Sequence, residues 1–429
     1  MNIPKTSFPR LVIIGGGFAG IALAKGLKNK EIQVVLLDKH NYHTFQPLLY
    51  QVATGGLEPD SIAFPLRKII KSIPNFFFRL TKVLNIDAEN NEIHSTIGKL
   101  KYDYLVIATG SKTNYFGNTF IERYSMAMKN VPQSLNLRSL IIENFEEALL
   151  TSNFEVRNAL MNFVIVGGGP TGVELAGALA EMKKAILPKD YPDLDIRQMQ
   201  INIVEGSDRL LNSMSEKASV KAEDFLVELG VQIWKNVNIT NYDGFLVSTN
   251  KDLSFNSSTV VWAAGVKGAP VNGLSEGCVV ERVNRIQVDE FNCVKGYKNI
   301  FAVGDVSNMV TSKFPKGLPM MAQPAIQEGT QLAKNIIAVL NNKPMKPFKY
   351  KDKGSMATIG RNKAVVDLDI WKFQGFFAWF VWMFVHLISL IGFRNKAVVF
   401  FNWVYNYIWF DRETRLIIRP FKNKNKESF

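Results

Sequence analysis

The run Leu11-Val12-Ile13-Ile14-Gly15-Gly16-Gly17-Phe18-Ala19-Gly20 returns in altered form as Phe163-Val164-Ile165-Val166-Gly167-Gly168-Gly169-Pro170-Thr171-Gly172. Both copies place G-x-G-x-x-G directly after an apolar strand. The first glycine permits the tight turn, the second lets backbone approach a pyrophosphate, and the third lets the following helix lie close on its strand. The pyrophosphate then rests at the positive end of that helix. Gly15, Gly17 and Gly20 are candidate contacts for one dinucleotide, and Gly167, Gly169 and Gly172 for another. One such motif recurs by chance. Two in one chain predict an α/β protein with two Rossmann-like domains that holds two dinucleotides and moves electrons between them.

Outward from each cradle the pattern continues. The strand Gln33 to Leu37 ends in Asp38, about 20 residues past the glycines, where a carboxylate accepts hydrogen bonds from an adenosine ribose; the alternative is a solvated acid at a strand end. The strand Ile201 to Val204 ends at Glu205 after a longer spacing. An acid there repels a 2′-phosphate, which predicts NADH over NADPH. Tyr104 to Ala108 reads as a buried strand running into Thr109-Gly110, a small turn that lets the chain pass close to a cofactor. Val260 to Gly265 repeats that pattern. The block Ile300 to Val303 ends in Gly304-Asp305, so Asp305 either meets a sugar-alcohol chain or caps the next helix. Asn41 to Tyr50 is aromatic and poorly periodic, and reads as a functional loop. Residues 76–101 read as short strands with turns. The simplest topology nests one half inside the other: residues 1–120 and 270–350 form one domain, 121–269 the second, and 351–429 a tail region.

Composition narrows the partners. The chain has 429 residues, 47% of them hydrophobic, and a formal charge of +13. Its mean hydropathy of +0.01 is high for a purely soluble enzyme. A basic balance admits nucleic acid, an anionic membrane surface or anionic substrates, and no nucleic-acid-binding module is visible. Only Cys278 and Cys293 are present, fifteen positions apart, so no C-x-x-C redox pair exists and no metal site has suitable ligand spacing. The first core strand begins at Leu11, which leaves no room for a signal peptide and predicts a cytoplasmic catalytic face.

From Phe373 to Phe393 the tail carries no formal charge, and a second aromatic stretch runs from Phe400 to Phe410. Arg394, Lys396, Arg412, Arg415, Arg419, Lys422, Lys424 and Lys426 follow or flank them. Aromatic residues favour the headgroup level and basic ones favour anionic lipid. The first stretch is long enough to span a bilayer. A single span would strand the basic tail on the far side, so attachment within one leaflet is expected. A buried core helix or a dimer contact is the alternative.

These residues together resemble the type II NADH dehydrogenases, the single-subunit NADH:quinone oxidoreductases. The resemblance runs nearly end to end, through Asn41-Tyr42-His43-Thr44-Phe45-Gln46-Pro47-Leu48-Leu49-Tyr50, both glycine motifs, Ala302-Val303-Gly304-Asp305, Ala322-Gln323-Pro324-Ala325-Ile326-Gln327, and His386 to Asn395. It implies non-covalent FAD on the first cradle, with Gly15, Gly17, Gly20, Asp38, Thr109, Gly110 and Asp305 around it. It implies NADH on the second, with Gly167, Gly169, Gly172 and Glu205. The family's helical glutamate matches Glu174, near the meeting of nicotinamide and flavin, although a carboxylate is also favoured near any helix N-terminus. The family's quinone pocket implicates Gln323, with Gln327 nearby, although either could cap a helix or contact backbone. A homodimer at the cytoplasmic face of a bacterial inner membrane is expected, without proton pumping, since pumping needs several spans with ionisable residues in a path. Three rivals remain. A sulfide:quinone oxidoreductase needs redox cysteines beside the flavin, a reductase for a soluble carrier needs no apolar tail, and a redox-sensing interaction protein would bind FAD without turnover.

Overall fold

The computed structural model describes residues 1–418 except Ser72 and Glu413, so Arg419, Lys422, Lys424 and Lys426 lie outside the described residues. The chain opens with β1 (Arg10–Ile14), α1 (Phe18–Gly26) and β2 (Gln33–Asp38), and adds β3 (Phe76–Leu80) and β4 (Tyr104–Ile107). It then leaves to build a second sheet from β5 (Asn162–Val166), β6 (Gln200–Glu205), β7 (Gln232–Lys235) and β8 (Thr259–Trp262), with α2 (Pro170–Ala185) after β5. It returns to place β9 (Ile300–Ala302) on the free edge of β4. The two parallel sheets run β9-β4-β1-β2-β3 and β7-β6-β5-β8. An antiparallel two-stranded link, residues 111–113 against 266–268, joins the points where the chain departs and returns.

Alternation along β1 shows why its sequence is apolar without interruption. Leu11 and Ile13 pack beneath α1 with Leu23, Leu332 and Ile336. Val12 and Ile14 face the opposite layer with Ile86, Ile93 and Ile286. A strand covered on both faces has no solvent side to mark with polar residues. Each of these side chains, nearly or fully buried, contributes about 1.5–3 kcal/mol. α3 (Ala322–Leu340) lies against α1 so closely that a Cβ on Gly329 would sit 2.3 Å from the Ala19 carbonyl.

Two readings of the sequence are corrected. Asn41 to Tyr50 is not wholly irregular: it holds a strand at Tyr42–Thr44, a single 3₁₀ turn at Gln46–Leu48, and the start of a helix at Leu49–Ala53. The uncharged stretch Phe373 to Phe393 is not one element. It finishes an antiparallel sheet of β10 (Ser355–Gly360), β11 (Lys363–Asp367) and β12 (Lys372–Gln374), turns at Gly375, and supplies only α4 (Phe376–Ser389). Gly392 then breaks the path before α5 (Phe393–Trp409). Among the described residues no helix is long and apolar enough to cross a membrane.

The tail is packed into the fold. β10 lies on α2 so tightly that a Cβ on Gly177 would sit 1.6 Å from the Ile359 carbonyl. Asn395 donates to the carbonyls of Asp60, Ser61 and Ala63 at 3.0–3.1 Å, pinning α5 to the first domain. Two of the basic residues expected to face lipid are spent inside the protein: Arg412 pairs with Glu181 at 2.9 Å, and Arg415 with Asp190 and Asp411, each at 2.7 Å.

Candidate active site

The two cradles have the same construction. Gly15 and Gly167 turn through φ of +111° and +109°, a region closed to ordinary side chains, and donate to the carbonyls of Leu37 and Val204 at 2.8 Å. A Cβ on Gly20 or Gly172 would sit 2.0 Å from the carbonyl of Gly15 or Gly167, so each helix can lie this close only without one. At Gly17 and Gly169 the same construction meets nothing within 4 Å. That open face at a helix N-terminus suits a pyrophosphate.

Each cradle is closed by the acid at the end of its next strand. Asp38 accepts from Gly16 N at 2.6 Å and from His40 N at 2.7 Å. Glu205 accepts from Gly168 N at 2.6 Å, from Ser207 N at 2.8 Å and from the Ser207 hydroxyl at 2.7 Å. A carboxylate has about four acceptor positions, so both acids hold the loop and keep capacity for a ribose.

Asp305 caps no helix. It lies in the 3₁₀ turn Gly304–Val306, while α3 starts at Ala322 behind Met321. Its carboxylate accepts from the Ser111 hydroxyl at 2.6 Å and stands 3.9 Å from Lys129 Nζ. Burial draws the Lys129 ammonium down, and Asp305 opposes that. Thr109 lies two residues past the end of β4 with its hydroxyl buried and unpartnered, and Gly110 follows at φ +71° with no atom within 4 Å of a built Cβ. An orphan hydroxyl and an open glycine beside Asp305 fit a flavin and its sugar-alcohol chain.

The turn at Asp305 is fixed from behind. Glu328 on α3 is 1% exposed, accepts from Gly304 N at 2.6 Å and Asn292 Nδ2 at 2.9 Å, and lies within 3.3 Å of the Ser307 hydroxyl. Burial pushes its carboxyl up to about 7. Sequence reasoning missed it, because an acid seven residues into a helix reads as a solvated face.

Between the cradles lies a cavity of about 130 Å³. Gln46, Pro47 and Thr113 line it from the first domain, and Lys129, Thr171, Glu174 and Trp262 from the second. Glu174 is one turn into α2 and 7% exposed, and burial pushes its carboxyl up to about 8 against the pull of Thr358 N–H at 3.5 Å. Tyr50 is buried beside it and accepts from Gln51 Nε2 at 2.8 Å. Both Glu174 and Tyr50 also line a second cavity, of about 160 Å³, under the tail helices.

Gln323 and Gln327 both engage the loop before β10. Gln323 donates to Gly354 O at 2.9 Å and accepts from Lys353 N at 3.1 Å; Gln327 donates to Lys351 O at 2.9 Å and accepts from Lys351 N at 3.0 Å. Neither lines either cavity. His386 stacks on Trp382 at 4.1 Å between ring centroids and stands edge-on to Phe45 at 6.1 Å. Burial lowers its imidazole to about 4, so it is neutral at physiological pH. The two cysteines are buried, and their thiols point hydrogen bonds at the carbonyls of Lys295 and Tyr297. Burial raises Cys293 to about 11, the reverse of what a redox thiolate needs.

Residues 9–329 match the model of the pyridine nucleotide-disulphide oxidoreductases, and residues 353–413 match that of the NDH2 C-terminal domain. The chain is 35% identical over 413 residues to the type II NADH:quinone oxidoreductase Ndh of Mycobacterium tuberculosis, covering 93% of this chain and 88% of that protein. The chain belongs to the type II NADH:quinone oxidoreductase family. Another member, from Haemophilus influenzae, is 31% identical over 387 residues, 83% of this chain and 86% of its own. In solved structures the fold matches NDH2 of Plasmodium falciparum in complex with NADH, with a TM-score of 0.86 at 22% identity over 96% of this chain and all of that one. It also matches the sulfide:quinone oxidoreductase of Aquifex aeolicus, with a TM-score of 0.74 at 21% identity over 96% of both chains. The fold is thus shared with sulfide enzymes, while the sequence and the buried thiols stand with the NADH:quinone oxidoreductases.

Proposed function

We infer that this type II NADH:quinone oxidoreductase carries non-covalent FAD on the first cradle, takes NADH on the second, and meets its quinone at a lipid surface. The observation that carries the reading is the cavity between the cradles, whose two walls come from the two dinucleotide domains. When bound, the nicotinamide and flavin rings supply the hydride chemistry, and the protein supplies position. Gly15, Gly17, Gly20, Asp38, Thr109, Gly110 and Asp305 hold the flavin nucleotide. Gly167, Gly169, Gly172 and Glu205 hold NADH, and Glu205 disfavours a 2′-phosphate. Lys129 and Trp262 narrow the space between them and exclude water.

Quinone reduction consumes two protons. Glu174 keeps its proton up to about pH 8, so it is placed to give one at the flavin side and regain it from the tail side. Gln323 and Gln327 act as positioning residues: their amides fix the loop that leads into β10, and β10 carries Thr358 to Glu174. The enzyme does not pump protons.

The exposed phenylalanines of α4 and α5 (Phe376, Phe377, Phe380, Phe384, Phe400 and Phe401) support attachment to one leaflet, where the quinone is dissolved. We place the domain limits at residues 120, 269 and 350 and read the assembly as a homodimer at the cytoplasmic face of a bacterial membrane. Anaerobic titration of the yellow protein tests the core of this reading. NADH should bleach the flavin absorbance and a short-chain quinone should restore it. Bleaching by NADPH or sulfide instead would overturn it.

A further inference from the structure

The cavity under the tail helices is not the space between the cradles. α2 forms one wall, the end of β10 with Arg361 another, Tyr50, Gln51 and Gly56 of the first domain a third, and α4, α5 and the segment after α5 the remainder. Its lining charges do not cancel. Arg412 is matched by Glu181 at 2.9 Å, Asp411 by Arg415 at 2.7 Å, and Glu174 is neutral below about pH 8. Arg361 and Lys184 remain, and neither makes an ion pair among the described residues.

Arg361 is held ready rather than left loose. Its guanidinium carbon lies 3.8 Å from the Tyr407 ring centre and 3.9 Å from that of Phe410. Its Nη1 is buried with no hydrogen-bond partner. A buried donor without an acceptor is destabilising, more so when charged, and an anion would remove that cost. A guanidinium fork matches phosphate oxygens in pairs, and aromatic faces stop the fork from swinging away. Trp379, stacked on Tyr407 at 5.3 Å between ring centroids, and Met383 give the cavity an apolar side, while Gln51 and Asn406 add polar lining.

We propose that this cavity binds the anionic headgroup of a membrane phospholipid, its phosphate on Arg361 and Lys184 and its glycerol and first methylenes against Trp379 and Met383. The proposal rests on the leaflet attachment inferred above. The helices that line the cavity also expose the phenylalanines that would enter the leaflet, so a phosphate arriving there comes with its acyl chains. The site would seat the tail on anionic lipid beside Glu174, without contact to the flavin cradle.

The test is calorimetric titration of the FAD-loaded, detergent-purified enzyme with dihexanoyl-phosphatidylglycerol below its micelle concentration. Dihexanoyl-phosphatidylcholine and inorganic phosphate serve as comparisons. Saturable binding of phosphatidylglycerol is expected, weaker by about tenfold or more in Arg361→Gln and by about threefold in Lys184→Gln, with flavin reduction by NADH unchanged in both. Equal binding of phosphatidylcholine, equal binding of inorganic phosphate, or full binding by Arg361→Gln would each overturn the proposal. If Arg361→Gln does not fold, the exposed Lys184→Glu must abolish binding, and its failure to do so has the same force. Flotation with vesicles reads attachment separately: a protein that floats yet does not distinguish the lipids refutes this site and leaves the leaflet reading standing.

Discussion

Two buried carboxyls, Glu174 and Glu328, hold protons at pH values where surface acids have lost them. Their folded-state values, about 8 and about 7, lie above the usual 4.5, so the native protein binds more protons than the unfolded chain between those limits. Stability from these groups is complete below about pH 4.5 and is lost as pH rises through about 7 and 8. Glu328→Gln keeps an acceptor for Gly304 N–H and removes the titration. Its melting temperature should fall less than that of the wild type between pH 5.5 and pH 8.5; parallel falls would show that Glu328 does not titrate in this range. Neither value was legible in the sequence. Glu174 reads as an acid at a helix start and Glu328 as one on a helix face, because the burial of each comes from outside its own helix, 184 residues on for Glu174 and 36 and 21 residues back for Glu328. Thr358 covers the first, and Asn292 and Ser307 surround the second.

At the scale of elements the cradles were the most legible part of the chain. Their function depends on backbone shape, and glycine is the one residue whose identity announces such shapes. Gly169 shows the consequence. Nothing approaches its missing side chain, so Gly169→Val should leave the fold and the flavin content intact while it blocks the pyrophosphate path. The KM for NADH should rise by about tenfold or more, about 1.4 kcal/mol. A change in flavin content instead would assign the second cradle to FAD. Asp305 was legible as a carboxylate at a strand end, but its place in the fold was not. Gly-Asp after a strand fits a helix cap equally well, and only the sixteen residues between Asp305 and Ala322 separate the two. The tail was least legible. Twenty-one uncharged residues match a span in length, but Gly375 and Gly392, both at positive φ, divide them into a strand, a helix and the approach to another helix. Length measures hydrophobicity, not continuity of backbone.

For the molecule as a whole, the reading proposed above brings the electron path and the lipid surface together at the tail helices. Phe380 and Phe401 are 54% and 67% exposed. Phe380→Ser with Phe401→Ser should reduce vesicle binding by about tenfold or more and slow reduction of a long-chain quinone. Bleaching of the flavin by NADH should persist. Equal vesicle binding would move the attachment elsewhere. Ser355 to Gly360 is a structural part of the enzyme as well as the root of the tail. Ile359 presses its carbonyl onto Gly177, and Thr358 reaches Glu174. During synthesis α2 therefore waits for a strand made about 180 residues after it, roughly ten to forty seconds at ribosomal rates. Both dinucleotide domains are translated by then, with one face of α2 and its acid still open to water. A chain that ends before residue 355 therefore has both cradles and lacks the cover of α2, so the last part of the fold to form is the wall that joins the second cradle's helix to the tail.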